Sequence, residues 1–405
     1  MSSCNKFSHL VAEPLDPINL VIINFAKNTD PKKVMLGVGA YRNEELQPHI
    51  FNAVKEAEKR LIEDENATYE ELPPEGHAEF NELVTELLLG KNNPAILENR
   101  VASVQCLGGT GSLRVGAEFI KENIKSEFIY FPDPTWPNHY NVFGFSGAEI
   151  KHYHYWNSEL KGLDLEGFLR DLNEMPTGSI VLLHACAHNP TGVDPTQEDW
   201  ERIIDVICQR DLMPYFDAPY IGFASGDFDR DTYAIKRCIE RGLQFLISLS
   251  FGKNFGLYGD RIGSIHAICQ DQETKEKVQC ALGSITKSMF GSGSAHGARI
   301  VATILKDPEL RENWLNELIS VSQRMQNMRK LLYDELVRLE APGNWLHIKT
   351  QIGMFCYTGL TPQQCENMIE KWHCFMLKNG RMAICGLNTK NVGYVAQAFR
   401  DSLNF

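Results

Sequence analysis

The chain has no long hydrophobic run. Its opening segment, MSSCNKFSHLVAEPLDPINLVIINF, holds one early lysine and an apolar stretch of about ten residues between Asp16 and Lys27. That is too short to span a bilayer, and it has neither the shape of a secretory signal nor the arginine-rich, acid-poor character of a mitochondrial leader. Blocks of like charge are missing too. The 40 basic and 52 acidic residues are interspersed and leave a net charge of −12, which argues against nucleic acid or an anionic membrane as the main partner. Eleven cysteines include no Cys-x-x-Cys pair. They sit mostly in apolar segments such as HACAH and GMFCY and read as reduced packing residues, so a cytoplasmic protein is expected. No internal repeat is present, and the GSGSAHG stretch at 291–297 is too short to be a linker.

What the chain does have is length and core material. With 405 residues, 43% of them hydrophobic, it can build two domains. From about residue 100, short apolar runs alternate with helical patterns. The runs are VASVQCL, EFIYF, AEIKHYHY, SIVLLHA, LMPYFDA, LQFLISLSF and GSIHAI; amphipathic stretches cover Ser112–Asn123, Gln197–Gln209 and Thr232–Arg241. This pattern predicts an α/β fold with a largely parallel sheet flanked by helices. After about residue 306 the alternation gives way to a long helical pattern starting at Asp307, two short strand-like pieces and a final helix near Asn388–Ser402, which predicts a smaller α+β unit.

Four strand ends carry polar groups. After VASVQCL come Gly108, Gly109, Thr110 and Gly111, which suit either an anion cradle at a helix start or a plain tight turn. Neither phosphate-loop nor dinucleotide spacing fits, since no Gly-Lys-Ser/Thr follows and Arg114 stands where a third glycine would be. Asp217 ends PYFDA, as a turn residue, a cap or a catalytic carboxylate. HACAHNPTG places His184, Cys186 and His188 near Asn189. No second cluster has ligand spacing, so the histidines read as core side chains and no metal is expected. In SLSFGKNFGLYGDRIG, Lys253 follows an apolar strand, with Ser250 before it and Arg261 after it.

In an open parallel sheet, strand C-termini converge on one crevice. An amine, a carboxylate and an anion cradle meeting there match one cofactor, pyridoxal phosphate. Its aldehyde needs a lysine, its pyridine nitrogen an anion, and its phosphate a helix N-terminus with an arginine. Lys253 at a buried edge is then desolvated enough to be a nucleophile and base.

GVGAYR, GGTGSLR, PTWPNH, HACAHNPTG, YFDAPYIGFASG, SFGKNFGLYGDRIG, HGARIVA, QIGMF and GRMAICGL resemble the aspartate aminotransferases, and most closely their cytosolic animal members, in order and spacing over nearly the whole chain. The resemblance implies a fold-type I pyridoxal-phosphate enzyme: an N-terminal arm (1–14), a small domain (15–47 and 320–405) and a large cofactor domain (48–319). It implies Lys253 as the Schiff-base lysine and Asp217 on the pyridine nitrogen with His139 supporting it. Asn189 and Tyr220 would contact the ring oxygen, with Trp136 over the ring. Gly109, Thr110, Ser250 and Arg261 would hold the phosphate. Arg381 would take the substrate α-carboxylate, with Gly39 beside the substrate. It further implies a homodimer acting on amino acids and 2-oxo acids.

Two positions that the family lends to a neighbouring subunit depart from its pattern. Lys287 stands where an arginine clamps the distal carboxylate, and Glu71 where a tyrosine reaches a phosphate. Lysine keeps the charge but loses the bidentate fork. A carboxylate about 5 Å from a phosphate, at an effective dielectric near 20, is repelled by about 3 kcal/mol per pair of charges. Pro137, Pro219, Gly252 and the GSGS loop (291–294) also depart from it. The expected reaction is transamination between L-aspartate and 2-oxoglutarate. Aspartate racemisation at the same site, and a weakened paralogue serving as a binding or heterodimer partner, are the alternatives.

Overall fold

The computed structural model describes residues 5–12 and 15–404; part of the expected N-terminal arm (1–14) therefore lies outside the described residues. The centre is a seven-stranded sheet. In chain order its strands are β1 (Val101–Leu107), β2 (Phe128–Asp133), β3 (Glu149–His154), β4 (Ile180–His184), β5 (Met213–Ala218), β6 (Phe245–Ser250) and β7 (Ile262–Ile268). They lie in the order β1-β7-β6-β5-β4-β2-β3. Every residue of β4, β6 and β7 is buried, as expected of strands covered on both faces, and this is why they read as mostly apolar runs, with His184, Ser248, Ser250, Ser264 and His266 as buried polar exceptions.

All seven apolar runs of the sequence are strands of this one sheet. The pairs β2–β3, β2–β4, β4–β5 and β5–β6 are parallel, whereas β7 runs antiparallel to both β6 and β1. Six strands thus end at one edge of the sheet, and β7 begins there.

Helices that matter for the site are α1 (Pro17–Lys27), α2 (Ala78–Leu89), α3 (Gly108–Phe119), α4 (Gln197–Arg210), α5 (Gln272–Phe290) and α6 (Pro308–Arg338). α4 starts at Gln197 as expected, because Thr196 and Asp199 form a reciprocal capping box. α6 begins one residue after Asp307, which accepts hydrogen bonds from the backbone of Glu309 and Leu310, with Pro308 in the first turn.

α3 departs from the sequence reading. Its expected start at Ser112 moves back to Gly108, so the glycine run forms the first helical turn rather than a loop before it. Glycine is a poor helix former, and propensity alone placed those residues outside. Packing overrides it: a Cβ on Gly116 would collide with the Tyr215 ring and hydroxyl, so the helix sits hard against β5. Tyr215 Oη in turn lies 2.8 Å from Ser248 Oγ of β6.

The last hundred residues hold α6, short strands at Phe355–Tyr357 and Arg381–Ala383, which pair antiparallel, and a final helix at Val392–Ser402. Cys374–Phe375 pairs in parallel with Val34–Met35, which ties this part to the residues following α1. α6 runs unbroken for 31 residues, across position 319–320.

Candidate active site

The sheet edge explains the site. Because β1, β4, β5 and β6 end where β7 begins, Gly109, Asn189, Asp217, Lys253 and Arg261 come from distant stretches of sequence to one place. They line a single cavity of about 270 Å³. Gly39, Thr110, Trp136, Tyr220, Ser250 and Arg381 line it as well. Two sequence candidates lie elsewhere. Lys287, in the last turn of α5, and Glu71 are both exposed and do not line the cavity of their own chain. Glu71 Oε1 instead lies 3.2 Å from where a Cβ on Gly291 would be, against the GSGS loop.

Asp217 sits at the cavity wall with its Oδ2 3.1 Å from His139 Nε2 and 3.7 Å from His184 Nε2. His139 is oriented from behind by Thr135 Oγ1, 2.8 Å from Nδ1. Burial alone would raise the Asp217 pKa. The His139 hydrogen bond and the nearby His139, His184 and Lys253 outweigh it, and the carboxyl is held below its ordinary range. Asp217 is therefore an anion at neutral pH. Its Oδ1 has no hydrogen-bond partner among the described residues.

Lys253 is half-buried, with Nζ 5.3 Å from the Tyr220 ring centre. Burial pushes its pKa down to about 8, with Arg261 acting the same way and Asp217 opposing. The sign gives a prediction. A neutral amine attacks an aldehyde and an ammonium does not, so cofactor uptake by the cofactor-free protein should speed up by about tenfold per pH unit below pH 8 and level off above it. Stopped-flow absorbance between pH 6 and pH 9.5 measures this; a rate that does not change with pH would contradict it.

The cradle is made by backbone. Leu107 precedes α3 without a side-chain cap, so the first N–H groups of the helix have no capping acceptor and can serve an anion. Gly108 has φ +70°, and a Cβ there would lie 2.6 Å from Arg261 Nη2. A Cβ on Gly109 would lie 3.0 Å from that of Ser250. Only glycine lets the helix start, Ser250 and Arg261 approach so closely. These groups fit pyridoxal phosphate: a cationic, uncapped cradle for phosphate, a free carboxylate oxygen for a protonated ring nitrogen, and an amine of lowered pKa.

Arg381 is fully buried. It donates from Nη2 to Gly37 O at 2.8 Å and from Nη1 to Asn189 Oδ1 at 3.3 Å, while Nε has no partner. Burial lowers its pKa to about 10, and it remains a cation. No carboxylate among the described residues pairs with it, so it is set to receive one.

Sequence reasoning missed Ile18, Leu113, Tyr258 and Phe355 as lining residues. Tyr258 and Phe355 lie inside the FGLYGDRIG and QIGMF stretches, where an aromatic was visible but its direction was not. A Cβ on Gly39 would lie 2.7 Å from Phe355 Cζ, which explains that glycine. Ile18 comes from α1, and no local signal marks it. The histidine grouping also differs from the one sequence offers. His139, His184 and Asp217 bring donor atoms within 4.8 Å of one another, whereas His188 hydrogen-bonds Thr191 and stacks on Tyr155. Burial lowers His184 to about 3, so it stays neutral behind Asp217.

A family model described as aminotransferase class I and II matches residues 31–399. The chain belongs to this family. It is 44% identical over 403 residues to the rice protein "Aspartate aminotransferase, cytoplasmic" (Oryza sativa subsp. japonica), covering 100% of this chain and 99% of that one. The aspartate aminotransferase from Saccharomyces cerevisiae cytoplasm superposes with a TM-score of 0.95 at 38% identity, covering 99% of each chain. The Burkholderia pseudomallei aromatic-amino-acid aminotransferase, solved covalently bound to pyridoxal phosphate, gives 0.96 at 35% identity, covering 99% of this chain and 100% of that one. Other relatives of similar identity are named chloroplastic or mitochondrial. This aminotransferase is thus a pyridoxal-phosphate-dependent transaminase with amino acids and oxo acids as its class of substrate. No helix among its described residues is long and apolar enough to cross a membrane.

Proposed function

We propose that this transaminase moves the amino group of L-aspartate to 2-oxoglutarate, giving oxaloacetate and L-glutamate, and works as a cytoplasmic homodimer. The division into an arm (1–14), a small domain (15–47 and 320–405) and a large domain (48–319) belongs to the same proposal. The observation that carries the reading is Arg381, a buried guanidinium with no acidic partner among the described residues, on the wall that also holds Lys253. It fits an α-carboxylate held while the amine works on the adjacent carbon.

When bound, pyridoxal phosphate supplies an aldehyde and an electron-poor ring that accepts the electron pair released at the substrate Cα. The chain's own groups do the rest. Gly109, Thr110, Ser250 and Arg261 hold the phosphate. Asp217, kept anionic by His139, holds a proton on the pyridine nitrogen. Asn189 and Tyr220 take the ring oxygen; burial raises the Tyr220 pKa, so its hydroxyl keeps its proton and donates. Trp136 covers the ring. Arg381 fixes the substrate carboxylate beside Gly39, and Lys253 Nζ takes the proton from Cα and later returns one. Its pKa of about 8 leaves a substantial neutral fraction near pH 7.5.

Lys287 would meet the distal carboxylate from the neighbouring subunit as a point charge rather than a fork. The test is a panel of amino donors with 2-oxoglutarate. Aspartate should turn over, and Lys287→Arg should raise kcat/KM for aspartate by about tenfold while changing that for phenylalanine little. Absence of aspartate turnover beside turnover of another donor would replace the substrate assignment. Equal change for both donors would remove Lys287 from the distal position. The weakened-paralogue reading keeps one supporting observation, the carboxylate of Glu71. No observation favours racemisation.

A further inference from the structure

The turn that carries Tyr220 is held by a buried acid. Asp231, at the end of the short helix Phe228–Asp231, is 3% exposed. Its Oδ2 accepts from Gly222 N at 2.8 Å and from Ser225 N at 3.3 Å, and its Oδ1 accepts from Ser225 Oγ at 2.6 Å. Neither N–H finds a backbone acceptor among the described residues. Burial, helped by the charge of Asp194, raises the Asp231 pKa to about 7 against the pull of these bonds. Among the described residues no basic side chain forms an ion pair with it. The acid is thus kept in the core at a cost, and what it serves there is the donors of one turn.

That turn begins at the cavity. Tyr220 lines the active site, and its backbone oxygen accepts from Phe223 N at 3.0 Å and from Ala224 N at 2.9 Å. Gly222 has φ +75°, and a Cβ there would lie 2.3 Å from Cε2 of Phe228, in the same short helix as Asp231. Two outer tethers hold carbonyls: Asn254 Nδ2 donates to Ile221 O at 3.2 Å, and Ser322 Oγ of α6 donates to Ala224 O at 3.0 Å. Among the described residues, Asp231 is the side chain that takes the N–H groups of the turn. Gly222 is two residues from Tyr220, so a shift at that anchor moves the phenol.

We propose that Asp231 is a positioning residue for Tyr220. It fixes Gly222 and Ser225 so that the Tyr220 hydroxyl, beside Asn189, meets the cofactor's ring oxygen. This role rests on the one proposed above for Tyr220, donation to that oxygen. A donor there stabilises negative charge on the oxygen, so weakening it raises the pH at which the cofactor's visible band changes.

A double-mutant cycle on the cofactor-loaded protein, read by absorbance against pH and by steady-state kinetics, tests this. Tyr220→Phe should raise the midpoint of the band by about one pH unit. Asp231→Ala should raise it by about half a unit and lower kcat by about tenfold, while KM for the amino donor changes less than about twofold, since Arg381 is held by other segments. In the Tyr220→Phe background the same substitution should move the midpoint by less than about 0.2 units and kcat by less than about twofold. Asp231→Asn, whose amide oxygen can still accept both N–H groups, should keep the parent's midpoint. If the alanine variant does not fold, Ser225→Ala, which removes the Oδ1 contact and leaves the two backbone ones, should give a smaller rise of the same sign. Equal shifts in the two backgrounds, or no shift in Asp231→Ala or Ser225→Ala, would overturn the role of Asp231 alone. An unmoved midpoint in Tyr220→Phe would overturn the role of Tyr220 and this one with it.

Discussion

Lys253→Ala should leave a folded protein whose turnover is lower by about 10⁴-fold or more. In the proposed mechanism the side chain does two things at once, forming a covalent bond to the cofactor aldehyde and transferring the Cα proton. Positioned general acid–base catalysis alone contributes about 10²–10⁴-fold. Removing the amine costs the core little, because Lys253 is half-buried and, among the described residues, makes no hydrogen bond or ion pair that holds the loop through its side chain. The backbone is held by its neighbours: Asn254 Nδ2 donates to Ile221 O, and Trp314 Nε1 donates to Asn254 O at 2.7 Å. Borohydride reduction followed by peptide mass spectrometry gives a readout independent of rate. The parent chain should carry the reduced cofactor on the Lys253 peptide and the variant should not. A variant within tenfold of the parent would remove Lys253 from both roles.

Asp217→Ala should be nearly as damaging, for an electrostatic reason. The carboxylate is buried, held ionised by His139, and offers Oδ1 to the cavity. A charge-assisted hydrogen bond contributes about 1.5–3 kcal/mol, so cofactor affinity should fall by about 10–100-fold. Turnover should fall further, by about 10³-fold, because without the anion the ring nitrogen loses its proton and the ring becomes a poorer acceptor of electrons. Asp217→Glu, which keeps the charge but displaces it, should recover part of the affinity and less of the rate. Equilibrium dialysis against pyridoxal phosphate and steady-state kinetics at saturating cofactor separate the two effects. Equal affinity in the alanine variant and the parent would show that the carboxylate does not meet the ring.

The strands were the most legible part of the fold. Double burial made β4, β6 and β7 mostly apolar, with only a few buried serines and histidines, and such runs bounded by glycine and proline leave little choice of secondary structure. Direction was not legible. Nothing local in GSIHAI distinguishes an antiparallel strand from a parallel one, and the reversal of β7 is set by the short return after Lys253. The start of α3 was misplaced because its glycines are chosen for close approach to Ser250 and Arg261, against their own propensity.

In the site, residues at strand ends could be named from the sequence because topology alone brings them together. Phe355 and Ile18 could not, since they arrive from segments far outside the sheet and their direction is a tertiary fact.

The reversal of β7 carries a consequence for how the active centre is inherited. Because β6 delivers Lys253 and the very next strand leaves from Arg261 at the same rim, one short connector, closed at its base by Phe251 N donating to Ile262 O at 3.0 Å, carries both the proposed nucleophile and the side chain proposed to hold the phosphate. The two travel as a cassette. A graft, deletion or chain break between positions 251 and 261 acts on both functions together, so lengthening that connector by even one residue should uncouple chemistry from anchorage while the sheet on either side stays intact.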